Sequence, residues 1–89
     1  MERADSEIIQ LINAPKGKPM EIVALEGGRN MLQKLTAMGL THHAVVRVKR
    51  GGGKGPMVIE VRGSRVGLGH GISSRIMVRP FFSDKVRTA

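Results

Sequence analysis

A mainly β domain, a small barrel of about five short strands with one helix inserted after the first, is the fold this 89-residue sequence predicts. Three observations predict it. Two segments in the second half alternate apolar and charged residues with period two, the mark of strands with one buried face. One stretch carries apolar residues at helical spacing and closes on a glycine. Twelve glycines and four prolines, with only two aromatics (Phe81 and Phe82), imply short elements, tight turns and an aliphatic core.

Residues 5–12 place apolar side chains at 8, 9, 11 and 12, a spacing that fits neither period cleanly. A short helical turn or a lead-in strand, tucking an apolar edge against the body, is expected there. Ala14-Pro15-Lys16-Gly17 reads as a turn, because proline presets φ and glycine accepts positive φ. Residues 19–25 form the first full strand, with Met20, Ile22 and Ala24 on one face and Glu21, Val23 and Leu25 on the other. Gly27-Gly28 ends it. The helix spans 28–38, where Met31, Leu32, Leu35 and Met38 share a face. Gly39 stands where a left-handed residue closes a helix, and Leu40 can fold back on the last turn.

Residues 44–50 then extend, Val46 and Val48 inward, Arg47 and Lys49 outward. Residues 57–62 repeat the pattern with Met57, Ile59 and Val61 inward and Glu60 and Arg62 outward. Between them Gly51-Gly52-Gly53-Lys54-Gly55-Pro56 is a mobile hairpin loop. Gly63-Ser64 turns into a strand at 65–68, a 3₁₀ turn is expected over 69–74, and a closing strand over 75–79. From Pro80 the chain is a tail that Phe81-Phe82 could anchor in part. Barrel closure removes exposed strand edges in a short chain, so an SH3-like barrel is the first expectation and an OB-like one the second. Residues 1–89 are expected to make one domain, its core over about 8–79 and its tail over 80–89.

Composition narrows the function. The absence of cysteine excludes disulfides and thiolate metal sites. No apolar run approaches the ~18–20 residues that span a bilayer. The opening Met1-Glu2-Arg3-Ala4-Asp5-Ser6-Glu7 is unlike a secretory signal, so a cytoplasmic location is expected. Charge is uneven: residues 1–26 hold five acids and three bases, a net of −2, whereas 27–89 hold twelve bases and two acids, a net of +10. Such a field attracts acidic partners of any class, nucleic acid included.

The order of residues resembles a known family. Glu26-Gly27-Gly28, the helix ending Leu35-Thr36-Ala37-Met38-Gly39-Leu40 and the strand Ala44-Val45-Val46-Arg47-Val48 are similar to the FeoA domain. So is the block Gly55-Pro56-Met57-Val58-Ile59-Glu60-Val61-Arg62-Gly63-Ser64-Arg65-Val66-Gly67-Leu68, and the likeness runs over roughly residues 8–79. The resemblance implies an SH3-like barrel without enzymatic activity, working in the cytoplasm beside FeoB, the membrane transporter for ferrous iron. The same domain resembles the C-terminal module of diphtheria-toxin-repressor-type metal regulators, where it follows a DNA-binding domain. No such domain is present in this sequence, which favours the free-standing form. Two departures stand out: Thr41-His42-His43 replaces the family's Pro-Gly after the helix, and Ser64 replaces an aromatic common after Arg-Gly.

Several residues invite sharper readings. His42, His43 and His70 are the candidate metal ligands. Adjacent histidines in a strand face opposite ways, however, and only a turn would bring His42 and His43 to one ion. A dedicated site also needs three or four ligands and supporting partners, so surface histidines are the expectation. Lys54 is followed by Gly55 and Pro56 rather than by Ser or Thr and a helix, which excludes a phosphate-binding loop. Gly67-Leu68-Gly69-His70-Gly71 lacks the strand-to-helix setting of a dinucleotide fingerprint. No paired carboxylates and no nucleophile elbow are present, so neither catalysis nor a cofactor is expected. Arg47, Lys49, Arg62, Arg65, Arg75 and Arg79 alternate with core residues and are the candidate partner-binding residues. The expected function is therefore an interaction module that binds or regulates the FeoB transporter. A nucleic-acid-binding barrel is the alternative, although single-strand binders stack bases on aromatics and this sequence has no Tyr or Trp. A metal-responsive module using the histidines is the third reading.

Overall fold

The computed structural model describes residues 7–52 and 55–82. In chain order they form β1 (Ile9–Gln10), a 3₁₀ turn (Leu11–Asn13), β2 (Met20–Leu25), α1 (Arg29–Ala37), β3 (Val45–Gly51), β4 (Met57–Val61), β5 (Ser64–Leu68), α2 (His70–Ser73) and β6 (Ile76–Pro80). The six strands make one sheet in the order β1-β6-β2-β3-β4-β5, every ladder antiparallel. Its architecture is SH3-like, but β1 and β5 are not paired, so the sheet is an open one among the described residues. One strand more is present than periodicity predicts. The segment before Ala14 is both things expected of it in succession: a two-residue strand on β6, then a 3₁₀ turn that buries Leu11 and Ile12.

The core is aliphatic. Met20 and Ile22 of β2, Val46 and Val48 of β3, Met57, Ile59 and Val61 of β4, Leu68 of β5, and Ile76 and Val78 of β6 are all buried. They line one face of the sheet, and α1 covers part of it with Leu35. Nothing in α1's first turn favours a helix electrostatically: it has no acid, begins at Arg29, and its N-cap Gly28 offers no side chain. What holds it is its closing turn. Gly39, at φ +86°, lets its own N–H bond Thr36 O at 3.0 Å and the Leu40 N–H bond Leu35 O at 2.8 Å, while Leu35 and Leu40 are both fully buried. That is the Schellman arrangement with its apolar contact.

Irregularities displace three expectations. A bulge in β2 lies between Ile22 and Ala24, against β6. One extra residue reverses the faces beyond it. Leu25, expected outward, therefore packs against the core in place of Ala24. The β4–β5 turn falls at Arg62-Gly63, with φ +53° and +81°, so Ser64 already belongs to β5 and Arg62 leaves the strand. The segment after β5 closes one turn of α-helix rather than 3₁₀, its Ser73 N–H reaching Gly69 O at 3.0 Å. The centre of the glycine-rich hairpin, Gly53 and Lys54, lies outside the described residues, as does the tail beyond Phe82. Among the described residues no helix is long and apolar enough to cross a membrane.

A basic sheet face and a histidine latch

Cross-strand register decides which charges become neighbours. Arg47 of β3 stands opposite Glu60 of β4, and Glu60 stands opposite Arg65 of β5. These three form a row on the outer face, since the adjoining row Val48–Ile59–Val66 faces the core side. A second bulge, between Val48 and Arg50, lets Lys49 swing to Glu60 at 3.5 Å. Arg47 also donates to Gly17 O at 3.0 Å, which ties the Pro15–Gly17 turn to β3 beside the Lys16–Val48 bridge. One carboxylate thus stands among three bases on β3, β4 and β5.

The other candidates are dispersed. Arg79 of β6 pairs with Glu21 of β2 at 3.3 Å and sits directly across from it. Arg62 occupies the β4–β5 turn, and Arg75 follows α2, donating to Gly71 O at 3.1 Å. Four of the six, Arg47, Lys49, Arg65 and Arg79, therefore belong to the outward rows of the sheet, while Arg62 and Arg75 belong to its loops.

The histidines have a different job. His42 and His43 stand in the turn before β3, rings stacked with centroids 4.8 Å apart. His42 Nε2 donates to the carbonyl of Val23, the bulge residue of β2. The His43 N–H bonds Ile22 O at 2.8 Å, and its Nδ1 donates to Glu21 Oε2 at 2.8 Å. Both rings latch the turn to β2. His43 does so at φ +73°, a left-handed conformation that strains a residue with a Cβ. His70 opens α2 and is exposed. Among the described residues no three of His, Cys, Asp and Glu gather as a metal would require.

The hydrogen bond from His43 holds the Glu21 carboxyl below its ordinary value of 4.5, and Arg79 adds to this against the opposing effect of burial. A carboxyl lowered in the fold stabilises it fully above the unfolded value, and that stability is lost as pH falls through the folded one. Acid titration of Glu21→Gln, followed by circular dichroism with a denaturant midpoint at each pH, should show a shallower loss of stability below about pH 4.5 than the parent.

One feature is only faintly signalled in the sequence. A groove of about 710 Å³ runs between the start of β1, the turn before β2 and the end of β6, lined by Ile9, Pro15, Pro19, Met20, Phe81 and Phe82 among others. The Phe81 N–H bonds Pro19 O at 3.0 Å, so the tail is anchored by backbone, and its two rings remain 38% and 69% exposed. The clustered prolines and the Phe81-Phe82 pair were its only signal.

The FeoA domain profile matches residues 9–80. This chain belongs to the FeoA domain family. A crystal structure of an iron uptake regulatory protein (FeoA) superposes with a TM-score of 0.77 at 36% identity, covering 83% of this chain and 99% of that one. The curated "Putative Fe(2+) transport protein A" of Methanocaldococcus jannaschii is 29% identical over 65 residues, 73% of this chain and 78% of its own length. A manganese-dependent transcriptional repressor shares the fold at 18% identity and a TM-score of 0.75, with 83% of this chain matching 42% of that one.

Proposed function

We propose that this FeoA domain works in the cytoplasm by docking the basic outer face of its sheet onto the cytoplasmic part of a FeoB-type ferrous-iron transporter, and so regulates uptake. The observation that carries the reading is the grouping of Arg47, Lys49 and Arg65 around a single acid, Glu60, on an outward sheet face. A rigid sheet fixes the spacing of these charges, so an acidic surface can meet them with little side-chain ordering. The outer face of α1 offers no comparable concentration: its bases are Arg29 and Lys34 alone.

The test is a titration of isotope-labelled protein with the transporter's soluble cytoplasmic domain, at low and at physiological salt. Amides of β3, β4 and β5 should shift as one contiguous set. The double variant Arg47→Glu, Arg65→Glu should bind at least about ten-fold more weakly, since charges facing an acidic partner then repel it. Absence of binding would overturn the reading. Shifts that vanish with salt and return equally with RNA would replace it by general polyanion binding.

A further inference from the structure

β5 is the long open edge of the sheet. Only β4 pairs with it among the described residues, whereas the opposite edge, β1, is two residues long. Burial agrees. One strand inward, the core-facing Met57, Ile59 and Val61 of β4 are all buried. Their partners on β5 fade from buried Leu68 through half-buried Val66 to exposed Ser64. An inner face that loses its cover at the last strand leaves room for one strand more. Edges of this kind are usually guarded by bulges, proline or charged side chains; β5 has no bulge and no proline, and its one charge is Arg65.

The side chains indicate what would fill it. The outer row runs Arg47, Glu60, Arg65, alternating in sign, and ends on a cation at the edge. An acid is the side chain that continues it, because opposite charges on directly facing strands stabilise and like charges do not. The next outer row, Arg50, Val58, Gly67, ends on a glycine beside which a Cβ would meet nothing within 4 Å, so a neighbouring side chain has space to lie over the strand. Arg62, exposed in the turn at one end of β5, adds a further positive charge. In the fully overlapped antiparallel pairing of two β5 strands Arg65 would face Gly67, so a second copy supplies no acid to continue the row.

We propose that β5 accepts an extended acidic peptide segment as a seventh strand, with backbone hydrogen bonds supplying adhesion and Arg65 selecting glutamate or aspartate. The inference rests on the outer face being the docking side, and adds the mode and chemistry of one contact there.

The probe is an end-capped peptide of about ten residues alternating glutamate with valine or threonine, a length that covers a strand of ordinary size. Titrated into labelled protein, it should shift and protect from exchange the amides of Ser64–Leu68. Methylating alternate peptide nitrogens, which removes donors but not charge, should abolish this. Substituting lysine for glutamate should do the same. Arg65→Glu and Gly67→Glu should each weaken binding about ten-fold. The second is sterically free in the folded protein, so its effect is not unfolding. Equal binding of the N-methylated peptide, or shifts confined to Arg47 and Lys49, would overturn the proposal. If the peptide fails while the transporter domain still binds, only the edge inference falls. If the peptide binds at β5 and the transporter domain does not, the edge stands and the transporter reading falls.

Discussion

Gly51→Ala should destabilise this protein by about 3–4 kcal/mol, which for a domain of this size is a large share of the total. Two costs add. Gly51 ends β3 at φ +80°, a conformation that costs an L-residue roughly 1–2 kcal/mol. A Cβ there would also stand 2.2 Å from the Pro56 carbonyl oxygen and 2.9 Å from Met57 Cα. Both are backbone atoms, so no rotamer relieves the clash, and β4 must move away from β3; forced overpacking of this kind costs about 1–3 kcal/mol. Gly17 provides the control. Its φ is +79° and a Cβ would meet nothing within 4 Å, so Gly17→Ala should lose only the conformational part, about 1 kcal/mol. Urea denaturation of both variants separates the two contributions: a large gap between them is expected, and equal midpoints would show that the hairpin yields freely.

Leu35→Ala should cost about 3 kcal/mol, within the 2–5 range for burying alanine where leucine was. Leu35 is the one fully buried side chain of α1, and the Leu40 N–H bonds its carbonyl, so the helix and its closing turn share this anchor. Met31, Leu32 and Met38 are only half-buried, and alanine at Leu32 should cost well under half as much. The melting temperature should fall by about 12–24 °C, at roughly 4–8 °C per kcal/mol. Hydrogen exchange should show α1 opening before β3 and β4 do. Because the outer sheet face keeps its charges, a folded fraction of this variant should still dock on an acidic partner; loss of docking out of proportion to unfolding would instead point to α1 as the contact surface.

Much of this architecture was legible because local pattern carries it. Val46 and Val48 alternate with Arg47 and Lys49, and Met57, Ile59 and Val61 with Val58 and Glu60, and both strands are where that period puts them. The helix and its glycine terminus were equally plain, since only one residue type suits φ near +86° at no cost. β1 was legible only as one of two options, a lead-in strand or a helical turn, because two residues are too few for any period to register. The bulge at Val23 was hidden too, because Ile22 to Leu25 is apolar throughout and pattern cannot tell its faces apart, while the extra residue is imposed by pairing with β6. The candidate basic residues were found by alternation alone, which is why Arg47, Lys49 and Arg65 share a face while Arg62, expected on that face, went to a turn.

By itself, then, the sequence determined which residues leave water, where the helix stops, and that the second half is strongly basic, all of which follow from side-chain chemistry and spacing along the chain. The tertiary structure alone decided the strand order that sets β6 between β1 and β2, the register that puts Glu60 between Arg47 and Arg65, the attachment of His42 and His43 to β2, and the open edge at β5. Periodicity reports how a segment divides between inside and outside. It says nothing of which strand lies beside it, because that choice is made by packing and hydrogen bonds between residues far apart in the chain.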